Sequence, residues 1–157
     1  TALSEGIGEK LTRLPSMPQC QVLIAKPGIS VSTKTVYEML DARTLRPEDH
    51  PDIDGMVEAI RKRDLYEVAG RFGNVLELVT AGRYPVIGQI EELMKEYGAI
   101  NAMMSGSGPT VFGLFSNPSS ARKAYEALRY GEGIDLAKQV YLTNFYNMNQ
   151  GAAGRLR

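Results

Sequence analysis

The sequence predicts an α+β fold, a ferredoxin-like sandwich with a four-stranded, mainly antiparallel sheet and helices on one face. Three observations predict it. Residues 20–26 are a near-continuous run of apolar strand formers, the pattern of a strand buried on both faces at a sheet centre. Residues 99–115 hold two short β-forming runs around a Ser-Gly-Ser-Gly-Pro turn. Helix-period stretches separate these strands from each other and from a final alternating run at 138–146, so the order is strand, helices, strand, strand, helix, strand. Nothing in the pattern sets the order of strands in the sheet.

Residues 1–19 are spaced first by glycines and then by prolines, with 11–14 extended. Pro27 and Gly28 end the first long strand. Residues 34–40 form a short helix that Ser32 or Thr33 can cap, with Val36, Met39 and Leu40 on its apolar face. Its first turn has free N–H groups that suit an anion; the alternative reading is that the hydroxyls serve only as caps. A loop leads to about Pro51. Residues 52–64 read as a helix with Met56, Val57 and Ile60 on one side, and 65–80 continue as helix, broken near Gly70 and Gly73. Asn74, set among Phe72, Val75, Leu76 and Leu78, is expected to bond neighbouring backbone. Another helix runs from Tyr84-Pro85 to about Tyr97, with a stripe of Val86, Ile90, Leu93 and Met94 and a stop at Gly98. Asn117 caps and Pro118 opens the last helix, whose Ala121, Ala124, Tyr125 and Leu128 face inward. In the final strand Val140 and Leu142 alternate with Tyr141 and Thr143. Residues 148–157 read as a flexible, glycine-rich tail.

The turn at Ser105, Gly106, Ser107, Gly108 and Pro109 holds more glycine and hydroxyl than a hairpin needs. Gly106 and Gly108 permit positive φ and close approach to the backbone, and successive N–H groups there can hold an anion. A plain hairpin turn remains the other reading. The loop lacks the Gly-Lys-Ser/Thr ending of a Walker A loop and the third glycine and helix of a dinucleotide fingerprint.

Acidic and basic residues balance at 18 each. That balance argues against broad nucleic-acid or membrane-surface binding. The single cysteine excludes an intrachain disulfide; with no signal peptide in view, it points to a reducing cytoplasm. Cys20 opens the apolar strand and reads as a small buried hydrophobe. His50 sits in a proline- and charge-rich loop, so neither a zinc site nor a histidine-based triad is expected. No apolar run reaches the roughly 20 residues of a membrane span. The chain starts at Thr1, which reads as a cut-out piece or a processed chain.

Residues 104–115 resemble the C-terminal glycine-rich motif of the GHMP kinases, the small-molecule kinases for galactose, homoserine, mevalonate and related substrates. Three further stretches resemble the branch acting on 4-diphosphocytidyl-2-C-methyl-D-erythritol: residues 1–9, residues 26–33 with Val36 and Tyr37, and Asn74-Val75-Leu76-Glu77. The resemblance covers nearly the whole chain. It implies a C-terminal kinase domain at 20–147, preceded at 1–19 by a remnant of the interdomain segment. It also implies ATP-dependent phosphorylation of the substrate's 2-hydroxyl, in the non-mevalonate route to isoprenoids (terpenoids), with Mg²⁺ neutralising phosphate oxygens. Thr33 would contact the erythritol-phosphate side of the substrate, and Tyr37 would stack on the cytosine. Ser105, Gly106, Ser107 and Gly108 would line the site beside the phosphates and the acceptor hydroxyl.

The family's Pro-x-x-x-Gly-Leu-Gly-Ser-Ser phosphate loop has no match here, and its catalytic Asp and Lys fall upstream of Thr1. The resemblance therefore places no catalytic residue and no metal ligand in this chain. It implies that the chain alone binds no cofactor and is inactive, its partner being the N-terminal kinase domain. The face where that domain packs would be apolar and open to self-association. A homoserine- or mevalonate-type kinase, or a non-catalytic ferredoxin-like ligand-binding module, are the alternatives.

Overall fold

The computed structural model describes residues 1–40 and 45–146. The expected tail at 148–157 and part of the loop before Pro51 lie outside the described residues. Twelve elements follow in chain order: β1 (Ala2–Glu5), β2 (Lys10–Arg13), β3 (Gln21–Lys26), α1 (Thr33–Met39), α2 (Ile53–Lys62), α3 (Leu65–Gly70), α4 (Glu77–Arg83), α5 (Val86–Glu96), β4 (Asn101–Met104), β5 (Val111–Phe115), α6 (Pro118–Tyr130) and β6 (Gln139–Asn144). A short 3₁₀ turn occupies Pro47–Asp49.

The main sheet has the order β4-β5-β3-β6, antiparallel throughout. Numbered within this sheet the strands run 2-3-1-4, the ferredoxin-like order that the pattern left open. β3 is central, with Leu23 opposite Gly113 on one side and Leu142 on the other. Both its faces are covered, which is why its sequence lacks the polar alternation of a half-exposed strand. Leu23 and Ala25 join Phe115, Val111, Met104 and Val140 under α5 and α6, in a core with Ile87, Ile90, Met94, Ala121, Ala124 and Leu128. On the opposite face Val22 and Leu114 pack with Cys20 and with Ala69 of α3. The expected helical layer is thus α5 and α6, and α3 supplies a second cover over the other face. A Cβ at Gly113 would come within 2.9 Å of Met94 Sδ, so this glycine lets α5 lie close on the sheet.

Several local expectations shift by a residue or two. Ser32 caps α1, its hydroxyl accepting the Thr35 N–H at 3.3 Å. Only Val36 of α1 is buried; Met39 is 40% exposed, because α1 touches the body along one narrow stripe against α4. The stretch expected as a single broken helix at 65–80 is α3, an irregular link and α4. The buried stripe of α5 includes Ile87, while Val86 stays at the rim. Residues 1–13 form a separate antiparallel hairpin, β1 with β2, beyond the extended stretch read at 11–14. Gly6 and Gly8 turn it at positive φ. Its strands carry almost no buried residue, so no apolar alternation marked them. Cys20 is buried, and burial pushes its thiol up to about 11, as fits a packing residue rather than a nucleophile. No helix among the described residues is long and apolar enough to cross a membrane.

One acid lies within the α5 layer. Glu91 is 9% exposed, and its carboxyl faces that of Glu77 at the start of α4. Burial, and then the Glu77 charge, raise Glu91 from 4.5 to about 7, and nearby Lys95 offsets only part of this. The folded state therefore keeps a proton that the unfolded chain releases. The resulting stability is complete below about pH 4.5 and is lost as pH rises through about 7. The shift corresponds to on the order of 3 kcal/mol. Thermal unfolding is expected to give a lower Tm at pH 8 than at pH 5, and Glu91→Gln is expected to flatten that difference.

Candidate functional site

The glycine loop joins edge strand β4 to β5 and is closed by its own backbone: Ser105 N–H donates to Thr110 C=O at 2.8 Å, and Gly108 N–H to Ser105 C=O at 3.0 Å. Gly106 has φ +57° and Gly108 φ +83°, so both sit where a side chain is strained. Their surroundings differ. A Cβ at Gly106 would meet nothing within 4 Å, whereas one at Gly108 would collide with the Met104 side chain. Gly106 is the open lip of the loop; Gly108 is the packed side. The Gly108–Pro109 peptide is cis.

Two distant segments meet this loop. From α1, Thr33 Oγ1 lies 2.9 Å from Ser107 Oγ, across 74 residues of chain. Tyr37 follows Thr33 by four residues, so the two share one side of α1, and the Tyr37 ring is exposed. The hydroxyls of Thr33 and Ser107 and the open backbone of Gly106 thus form one polar rim, with an accessible aromatic face a helical turn away. The structure brings Thr33 to Ser107, and it carries Ser105, Gly106 and Gly108 in the same loop.

The second segment precedes α4. Asn74 Nδ2 donates to Met104 C=O at 2.9 Å and to Gly106 C=O at 2.8 Å, while Asn74 Oδ1 accepts the Leu76 N–H at 3.1 Å. Glu77 Oε2 accepts the Met104 N–H at 2.8 Å. β4 is an edge strand, so these outward backbone groups have no strand partner and the two side chains supply one. Asn74 was expected to bond neighbouring backbone; it does so at Leu76, and its other two bonds reach 30 and 32 residues ahead. Sequence reasoning missed the loop-holding role of both residues. The available signal was a pair of polar residues three apart inside an otherwise apolar stretch.

His50 is exposed after the 3₁₀ turn, and among the described residues no group of three metal-ligating side chains could hold an ion. A backbone cradle open at Gly106 and rimmed by two hydroxyls fits phosphate oxygens, which N–H and O–H groups can approach without a Cβ in the way.

The family of GHMP kinases C terminal matches residues 56–132. Among curated proteins, the 4-diphosphocytidyl-2-C-methyl-D-erythritol kinase of Lachnospira eligens is 58% identical over 147 residues, covering 93% of this chain and 49% of the relative. The enzyme of the same name from Caldicellulosiruptor bescii is 46% identical over 143 residues, 91% of this chain and 48% of the relative. A crystal structure of 4-(cytidine 5'-diphospho)-2C-methyl-D-erythritol kinase superposes with a TM-score of 0.66 at 29% identity, over 91% of this chain and 48% of that one. Homoserine kinase from Cytophaga hutchinsonii superposes with a TM-score of 0.74 at 20% identity over 90% of this chain and 47% of that one, a likeness of fold. The chain spans about half the length of the curated relatives it matches. In fold, in its glycine loop and along nearly all of its sequence, the chain belongs to the GHMP kinases and carries their C-terminal domain.

Proposed function

We propose that this chain forms the substrate-side half of an ATP-dependent kinase that phosphorylates the 2-hydroxyl of 4-diphosphocytidyl-2-C-methyl-D-erythritol in the bacterial cytoplasm, a step of non-mevalonate isoprenoid biosynthesis. The observation that carries this reading is the contact of Thr33 with Ser107, which joins the α1 segment to the glycine loop in one polar rim. The relatives at 58% and 46% identity bear that enzyme's name, which supports the choice of substrate.

ATP supplies the transferable phosphoryl group, with Mg²⁺ as its counter-charge, and the preceding kinase half supplies the phosphate loop, the Asp base and the Lys. In this chain, Thr33 and Ser107 orient the polar portion of the acceptor by hydrogen bonds. The exposed face of Tyr37 takes the cytosine ring. The backbone of Ser105, Gly106, Ser107 and Gly108 lines the phosphates and the acceptor hydroxyl. Such positioning is the main protein contribution to phosphoryl transfer. Residues 1–19 belong to the junction between the two halves, and the chain separated from the kinase half is inactive and exposes the face where that half packs.

The test is ADP release by the gene product that contains this chain, with 4-diphosphocytidyl-2-C-methyl-D-erythritol, homoserine and mevalonate assayed side by side. Turnover of the cytidylyl substrate alone is expected, and turnover only of another substrate would reject the assignment. Tyr37→Ala is expected to raise KM for that substrate by roughly 5- to 150-fold, the loss of about 1–3 kcal/mol of base stacking. The two glycines separate binding from stability. Gly106→Ala is expected to cost about 1 kcal/mol in thermal unfolding yet to abolish most turnover, because its methyl group fills the open lip. Gly108→Ala is expected to cost about 2–3 kcal/mol, through strained φ and collision with Met104.

A further inference from the structure

We propose that Asn74 and Glu77 are positioning residues for the glycine loop, and that Glu91 locks Glu77 in place by sharing a proton with it, so that the loop is held by a proton-dependent latch. The proposal rests on the kinase reading only in treating the loop as the phosphate-facing element.

The geometry is a grip on a single residue. Met104 is the last residue of β4, where the strand enters the loop. Its C=O accepts from Asn74, and its N–H donates to Glu77. Asn74 also holds the C=O of Gly106, two residues into the loop. All three bonds come from residues 74–77, and the Leu76 N–H fixes the Asn74 amide. Met104 has no exposed surface, and its side chain is the one Gly108 packs against. A movement of Met104 is therefore transmitted to both glycines.

Glu77 is in turn backed by Glu91 from α5. Two carboxyl groups in contact attract only if one of them carries a proton. Among the described residues no group donates to the buried Glu91 Oε1, so that oxygen gives the charged form no hydrogen bond. Among the described residues, the groups acting on the Glu77–Glu91 pair are Lys95 on α5 and the Met104 N–H from β4. With the proton in place, the Glu91 hydroxyl donates to the Glu77 carboxylate, leaving Glu77 free to accept the Met104 N–H. When the proton leaves, two like charges face each other in a largely dry layer, and Lys95 offsets only part of their repulsion. The repulsion drives Glu77 off the Met104 amide and frees the root of the loop. The burial that raises Glu91 to about 7 puts this change within the physiological range.

The test follows the loop of this chain directly by NMR, on a sample labelled with ¹³C and ¹⁵N, from pH 5 to pH 9. The Glu91 carboxyl carbon and the amides of Met104, Gly106 and Gly108 are expected to shift together with one midpoint near 7. In Glu91→Gln the side-chain amide still donates to Glu77 but cannot titrate, so the Met104 amide is expected to stay at its low-pH position throughout. An unchanged Met104 titration in Glu91→Gln, or wild-type loop amides that do not move with the Glu91 carboxyl, would overturn the latch. If Glu91→Gln does not fold, the common midpoint in the unmodified chain decides alone. No substrate enters this measurement. Its failure leaves the kinase reading standing, and failure of the turnover assay leaves the latch standing.

Discussion

The structure depends on β3 being buried on both faces. Leu23 and Ala25 are fully enclosed by α5 and α6, and Val22 is covered from the other side by the α3 layer. A strand enclosed in this way must sit between two others, which places β5 and β6 on its flanks and sends β4 to the edge. The edge position has a chemical consequence. The outer backbone groups of β4 lack a strand partner and must be satisfied by side chains. Asn101 serves its own end of the strand, with Oδ1 accepting the Ala102 N–H at 2.9 Å and Nδ2 donating to Ala69 C=O at 2.8 Å. Asn74 and Glu77 serve the other end, where the glycine loop begins.

The site is thus assembled where the sheet is least supported by its own ladder. A loop at the end of an edge strand leaves open space on one side, as at Gly106, and is held from the other, as at Met104 and Gly108. The α1 segment reaches it through Thr33 because α1 packs on α4, whose preceding turn already grips the loop. The Thr33 contact and the Asn74 and Glu77 bonds therefore converge on one short loop and its root. That convergence suits a reaction in which the protein contributes chiefly position and local charge.

Most elements were legible in the sequence because each carried its own local reason. Cys20 through Lys26 read as a central strand from composition alone, and the Asn117-Pro118 start and the Ala121, Ala124 and Leu128 face of α6 follow from capping and period. The β1–β2 hairpin was not legible, since its residues are exposed and nothing in their polarity alternates. The break between α3 and α4 was only partly legible, because glycines mark a bend without saying whether the helix resumes. Thr33, Ser107 and the two glycines could be singled out as residue types, but their meeting could not be.

By itself the sequence determined the α+β class, the glycine loop and, through its resemblance, the kinase family. These rest on local pattern, which periodicity, composition and motif express directly. Only the tertiary structure decided the sheet order, the 2.9 Å contact of Thr33 with Ser107, the grip of Asn74 and Glu77 on Met104, and the burial of Glu91 against Glu77. Each of these joins residues distant along the chain. Their energies depend on which groups folding removes from water together, and no local pattern of residues encodes that pairing.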